Sequence, residues 1–202
     1  MEVSTNRVEL CGVPAEEPVF SHENHGQRFY KFPLRVERLS GQTDVPVVVV
    51  SETLLRRFPI RTERPLYVAG QLRSFNNKSG QGSRLVITVL AQELAVGDGT
   101  PLNRIELSGV LCKQPYLRRT PLGRSICDII LAVNRRYGRA DYLPCIAWGQ
   151  VAAQVSQMSV GDRLSLEGRV QSRTYTKMLG DRAEERVAFE VSIMQLVEES
   201  GL

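Results

Sequence analysis

The stretch "NRVELCGV", residues 6–13, returns as "NRIELSGV" at 103–110, identical at six of eight positions with an offset of 97. The likeness persists downstream: Pro18 with Pro115, Gly26 with Gly123, Leu34 with Leu131 and Val36 with Val133 at the same offset, then Pro46 with Pro144 and Gly70 with Gly168 at 98, and Arg84 with Arg186 after four more residues. Each change of offset falls in a turn-like segment, where insertions are tolerated. The repeat predicts two copies of one domain, 1–97 and 102–198, joined near "AVGDGTP" (95–101), whose Gly, Asp and Pro suit a short linker.

Within a copy the hydrophobic period is two. Ile105, Leu107, Gly109 and Leu111 alternate with Arg104, Glu106, Ser108 and Val110, the pattern of a half-buried strand. Further strands are expected at "SICDIILAVN", "DYLPCIAW", "RLSLEGRVQSRTYTK" and "ERVAFEVSIMQL". Between the third and fourth, Val151, Val155 and Met158 fall at i, i+4 and i+7 before Gly161, predicting one short helix; the first copy offers "SETLLRRFPI" there, with Ser51 as its cap. The order β-β-β-α-β-β predicts an all-β protein of two tandem OB-fold five-stranded barrels, each with one short helix between strands 3 and 4.

The bulk composition narrows the class. With 42% hydrophobic and 24% charged residues and no apolar run long enough to span a bilayer, a soluble globular protein is expected, and the opening "MEVSTNRVEL" has no basic-then-apolar leader, so the cytoplasm is the expected compartment. Cys11, Cys112, Cys127 and Cys145 form no C-x-x-C pair and are read as small buried hydrophobes. His22 and His25, in "SHENHGQ", read as a loop tip rather than a metal site. No phosphate loop, G-x-S-x-G or H-E-x-x-H occurs, and no acid, base and nucleophile converge, so neither an enzyme nor a cofactor or metal is expected. The net charge is +4, and of 26 basic residues only Lys31, Lys78, Lys113 and Lys177 are lysine. Arginine both forks onto phosphate and stacks on planar rings.

Side-chain parity then sorts the chemistry. In "DYLPCIAWG" (141–149), Tyr142, Pro144, Ile146 and Trp148 share one face. In residues 163–177, Leu164, Leu166, Gly168 and Val170 point one way, and Arg169, Arg173, Tyr175 and Lys177 the other. A barrel interior cannot hold that second set. Rings interleaved with cations on an outward face suit an unpaired nucleic acid, which needs charge for its phosphates and flat surfaces for its bases.

The second copy resembles the bacterial single-stranded DNA-binding proteins of the homotetrameric OB-fold family. The likeness runs through "NRIELSGVLCKQPYLRRTPLGRSICDIILAVN", "DYLPCIAWGQVAAQV" and "VGDRLSLEGRVQSRTY", nearly all of 103–196. That resemblance implies stacking of bases on Tyr137, Tyr142, Trp148 and Tyr175, with phosphates met by Arg118, Arg119, Arg124, Arg135, Arg136, Arg139, Arg169, Arg173 and Lys177. The matching positions of the first copy are taken as Ser40, Asp44, Val50 and Asn77, none of them a ring. Its third strand, "VPVVVV", is apolar on both faces, so an assembly role with weak DNA contact is expected of that copy. Phe29 and Phe32 cannot share a face, and at least one is expected in the core.

The partner implied is single-stranded DNA, with a homodimer bringing four OB-folds together and replication proteins as further partners. The family's acidic, Phe-terminated tip has no counterpart in "LVEESGL". Two rival readings remain: an adaptor similar to primosomal replication protein N, using OB-folds for protein contacts as well as DNA, and an RNA-binding protein.

Overall fold

The structure, a computed structural model, describes residues 5–77, 84–135 and 138–198. Thirteen strands and two helices lie within those residues. The first half contains β1 (Asn6–Pro14), β2 (Val19–Asn24), β3 (Gln27–Glu37), β4 (Thr43–Asp44), β5 (Val47–Ser51), α1 (Glu52–Arg57), β6 (Leu66–Asn76) and β7 (Leu85–Val96). The second contains β8 (Leu102–Leu111), β9 (Tyr116–Arg119), β10 (Ser125–Asn134), β11 (Ala140–Trp148), α2 (Gly149–Val155), β12 (Arg163–Leu179) and β13 (Arg182–Leu196).

Each half closes on itself. In the first, β1 pairs with β6, β6 with β7, β7 in parallel with β5, β5 with β3, and β3 back with β1. The second repeats this circuit through β8, β12, β13, β11 and β10. Closure leaves no edge within either five-stranded ring, and each ring is an OB-fold barrel. The expected strand 125–134 is reproduced residue for residue, and the expected strand at 163–177 runs on to Leu179. Three short strands, β2, β4 and β9, add to the expected set because the segments after β1, β3 and β8 fold back as hairpins.

Glycine recurs where the rings close. A side chain on Gly12 or Gly109 would collide with the carbonyl of Arg35 or Ala132 on the facing strand. One on Gly70 or Gly168, beside the bulges of β6 and β12, would strike the carbonyl of Leu90 or Ser192. These are close backbone approaches that only glycine allows. Asn6 and Asn103 do equivalent work. The Asn6 amide donates to the Leu72 carbonyl (3.0 Å) and accepts from the Leu72 N–H (2.8 Å), while Asn103 does the same with Val170 (2.8 and 2.9 Å).

The two barrels join through β1 and β8, which pair antiparallel so that the strands of both halves form one hydrogen-bonded sheet. Val8 faces Ile105, and since 105 − 8 = 97, equivalent residues meet on a pseudo-two-fold axis. Arg7 opposite Glu106 and Glu9 opposite Arg104 flank it symmetrically. This is the self-complementary geometry of a two-fold dimer, here within one chain.

The structure departs from several sequence expectations. The helix expected to carry Val151, Val155 and Met158 ends at Val155, and Met158 reaches the core from the turn that follows. Cys112 is exposed, because it lies just past the end of β8; its thiol donates to the Ile130 carbonyl (3.3 Å), while the other three cysteines are buried as expected. His22 belongs to strand β2, and the turn is confined to His25 and Gly26, both at positive φ.

Candidate nucleic-acid interface

Cross-strand partners share a face, so the pairing register maps the outer wall of the second barrel as rows. Arg118, Ile126 and Trp148 form one row. Tyr116, Asp128, Ile146, Ser192 and Arg169 form the next. Beyond them lie Ile130 with Pro144, and then Ala132 with Tyr142. Ile126 and Ile146 are buried although they point away from the barrel interior, and they make an apolar floor.

The rings stand on that wall. Trp148 is 39% and Tyr142 52% exposed, and neither belongs to the core cluster. Tyr175 is half-buried on the outward side of β12, with the Arg173 guanidinium 5.9 Å from its ring centroid. The lone tryptophan thus sits outside the barrel, at the N-cap of α2, where it makes no capping hydrogen bond. Tyr137 and Arg136 lie outside the described residues. The expected set omitted Tyr116, 64% exposed and one row from Trp148. Its signal was parity with Arg118 across two residues, hidden because "KQPY" reads as a turn.

The nine expected cations divide. Arg119, Arg124, Arg139 and Lys177 are exposed, and Arg169 is half-buried on the same wall, its Nε shielded and without a hydrogen-bond partner among the described residues. Arg173 shares Glu190 (3.5 Å) with Gln171, whose amide donates to the same carboxylate (2.9 Å). Arg118 is largely neutralised: its Nε donates to Asp128 (2.6 Å), and that hydrogen bond holds the guanidinium pKa above its ordinary range. Arg135 is engaged at the joint between the barrels: its guanidinium binds Asp141, a fully buried carboxylate, and reaches the Ser74 carbonyl (3.2 Å). A buried carboxylate has to be paired, and a spacing of six residues across a hairpin gave no sign of that demand.

Asp141 and its counterpart Asp44, 97 residues apart, each cross to the other barrel. Asp141 accepts the Ser74 N–H (2.6 Å) and a bond from Arg73 (3.3 Å). Asp44 accepts from Arg38 (2.6 Å twice) and from the Ser172 N–H (2.9 Å) and hydroxyl (3.3 Å). Burial pushes the Asp44 carboxyl upward, but the Arg38 fork and the Ser172 N–H together outweigh it and hold the group below the usual carboxylate range. Burial likewise lowers the Arg73 guanidinium despite the nearby Asp141.

The first barrel needs its counterparts redrawn. Phe29 pairs with Ser51 as Ile126 pairs with Trp148, so the offset is still 97 at the third strand: Ser51 matches Trp148 and Val45 matches Tyr142. The Pro46–Pro144 identity suggested a shift one element too early. Val48 and Val50 are therefore inside the barrel, fully buried, while Val47 and Val49 face outward. Ser51 caps α1 through its hydroxyl, which accepts the Leu54 N–H (3.2 Å). Phe32 is core and Phe29 is outside, stacked on His22 at 4.9 Å. The first barrel's outer wall holds a groove of about 460 Å³ whose lining includes Phe29, Lys31, Val49, Arg73, Phe75 and, from the second barrel, Arg135. Phe20, half-exposed, carries Arg28 over its ring at 5.1 Å.

Residues 102–197 match the Single-strand binding protein family. A single-stranded DNA-binding protein of Clostridium tetani is 36% identical over 103 residues, 46% of this chain and 71% of that protein. Single-stranded DNA-binding protein 2 of Clostridium acetobutylicum is 34% identical over 110 residues, 50% and 83% respectively. Single-stranded DNA-binding protein A of Bacillus subtilis is 36% identical over 88 residues and is spanned for about half its length, 51%. The solved structure of the single-stranded DNA binding protein from Thermus aquaticus superposes with a TM-score of 0.79 at 22% identity, covering 99% of this chain and 95% of that one, so the two share the fold across both barrels.

Proposed function

The chain belongs to the single-strand binding protein family, and from that premise we propose that it binds single-stranded DNA without chemistry, through the outer wall of the second barrel. The observation that carries this reading is the lone indole, outward on β11 beside an apolar floor and in one wall with Tyr116, Tyr142 and Tyr175. Each ring offers a face to a base, worth roughly 1–3 kcal/mol per base. Arg119, Arg124, Arg139, Arg173 and Lys177 meet phosphates around them, and the strand is sequestered in the course of replication, recombination or repair in the cytoplasm. Titration of the protein with oligo-dT while Trp148 fluorescence is followed tests the reading. Strong saturable quenching is expected, and an indole that does not respond to the strand overturns it.

The first barrel is assigned an assembly role. Outward Val47 and Val49 and the groove above them support protein contact, with a second copy of the chain as the first candidate, giving four barrels per dimer. Light scattering that finds a concentration-independent monomer removes the dimer. The adaptor reading is favoured by the same groove, and capture of replication proteins by the chain, lost on replacing Val49 with Asp, distinguishes it.

A further inference from the structure

The contacts that Asp141 and Asp44 make between the barrels do not fall at arbitrary points of the second barrel. Tyr142 donates its backbone N–H to the Ser74 hydroxyl of the first barrel (2.8 Å). Ser74 in turn donates its own N–H to Asp141 and accepts at its carbonyl from the Arg135 guanidinium, so β6 grips the β10–β11 hairpin on both sides of its turn. Tyr142 is the third residue of β11, near that turn, where a hairpin is least constrained by its own barrel. The second contact has the same logic. Ser172, held by Asp44, is where β12 leaves the barrel: Gln171 before it is buried, and from Arg173 onward the strand is exposed apart from Tyr175 and continues into a long hairpin. Arg173 and Tyr175 follow directly. One contact holds the root of the Tyr142 arm and the other the root of the Tyr175 arm.

We propose that Arg73, Ser74 and Asp44 of the first barrel are positioning residues for the strand-binding wall of the second, fixing the spacing between Tyr142 on one arm and Arg173 and Tyr175 on the other. The proposal rests on the strand-binding reading above. A ring whose backbone is already fixed loses less freedom when a base settles on it, so affinity comes from preorganisation as well as contact. The barrel with fewer outward rings on its third and fourth strands contributes to binding without touching the bases on that wall.

A double-mutant cycle on the full chain tests this, with labelled oligo-dT as probe and anisotropy as readout. Ser74→Ala removes the acceptor of the Tyr142 N–H and is expected to weaken binding about fivefold, the scale of one net hydrogen bond. In a Tyr142→Ala background most of that loss is expected to vanish, while in a Trp148→Ala background it persists, and Ser74→Thr restores affinity. An equal Ser74→Ala loss in both backgrounds, or none in the parent, overturns the proposal. If neither ring substitution weakens binding, the strand-binding reading itself has failed and the proposal falls with it, a pattern distinct from the first. Should Ser74→Ala unfold, Asp44→Ala, which removes the acceptor of the Ser172 N–H, is cycled against Arg173→Ala. Non-additivity is again expected, and additivity again overturns the proposal.

Discussion

The two barrels are nearly interchangeable inside and unlike outside. Phe32, Leu34 and Val36 of the first stand where Ile129, Leu131 and Val133 of the second stand, all buried, and Asn6 and Asn103 make the same pair of hydrogen bonds. On the outer wall, Ser51 replaces Trp148, Lys31 replaces Asp128 and Phe75 replaces Arg173. One inward pattern specifies the fold, and the outward positions are left for binding chemistry. The first barrel has not lost its aromatics but carries them elsewhere: Phe20, Phe29 and Phe75 occupy β2, β3 and β6.

The largest expected asymmetry is in strand affinity. Trp148→Ala with Tyr142→Ala is expected to cost at least about thirtyfold, from two stacking contacts of about 1–3 kcal/mol each, whereas Phe29→Ala with Phe75→Ala costs less than about threefold. Equal losses measured by anisotropy would erase the functional distinction between the barrels. The internal likeness is probed by denaturation. Asn6→Ala and Asn103→Ala each strand a backbone N–H and C=O, and each is expected to destabilise the chain by about 1–3 kcal/mol, by amounts that agree within about 1 kcal/mol. A large inequality would mean that the matched frameworks do not carry matched loads.

Acid gives a smaller effect. Asp44 is held below its ordinary pKa, so its contribution is present above about pH 4 and is lost as pH falls through the lowered native value. Thermal melts of the parent should decline on that limb, and those of Asp44→Asn should decline less steeply; identical limbs would mean that the joint does not depend on this carboxylate. The smallest expected effect is in salt dependence. Lys177→Ala should reduce the slope of log affinity against log salt by about 0.7, one phosphate's share, while Lys31→Ala leaves it unchanged. A change with Lys31 alone would move the strand to the other barrel.

Most of the fold was legible in the sequence because period-two alternation reports burial directly: Ile105, Leu107, Gly109 and Leu111 all point inward. The outward placement of Tyr175 followed from the same parity, whereas for Tyr142 and Trp148 parity showed only a shared face and the family resemblance turned that face outward. Legibility ended where identity was mistaken for register. A shared proline displaced the match at the third strand by one residue, and a shift of one turns a strand over, which put Val50 outside when it is in the core. The role of Arg135 was hidden because its partner set includes Ser74, 61 residues earlier. Tyr116 was missed because a short hairpin strand of four residues has too little alternation to announce itself.

The joint of β1 with β8 about Val8 and Ile105 carries a consequence for how the halves have diverged. Two separate subunits meeting this way come apart on dilution, and any substitution enters both at once. A covalent tether makes the union unimolecular, with an effective concentration set by the few residues between β7 and β8. It also frees each half to vary alone. Within one chain a residue such as Ser51 does not have to match Trp148, so the two outer walls can differ while the joint stays symmetric.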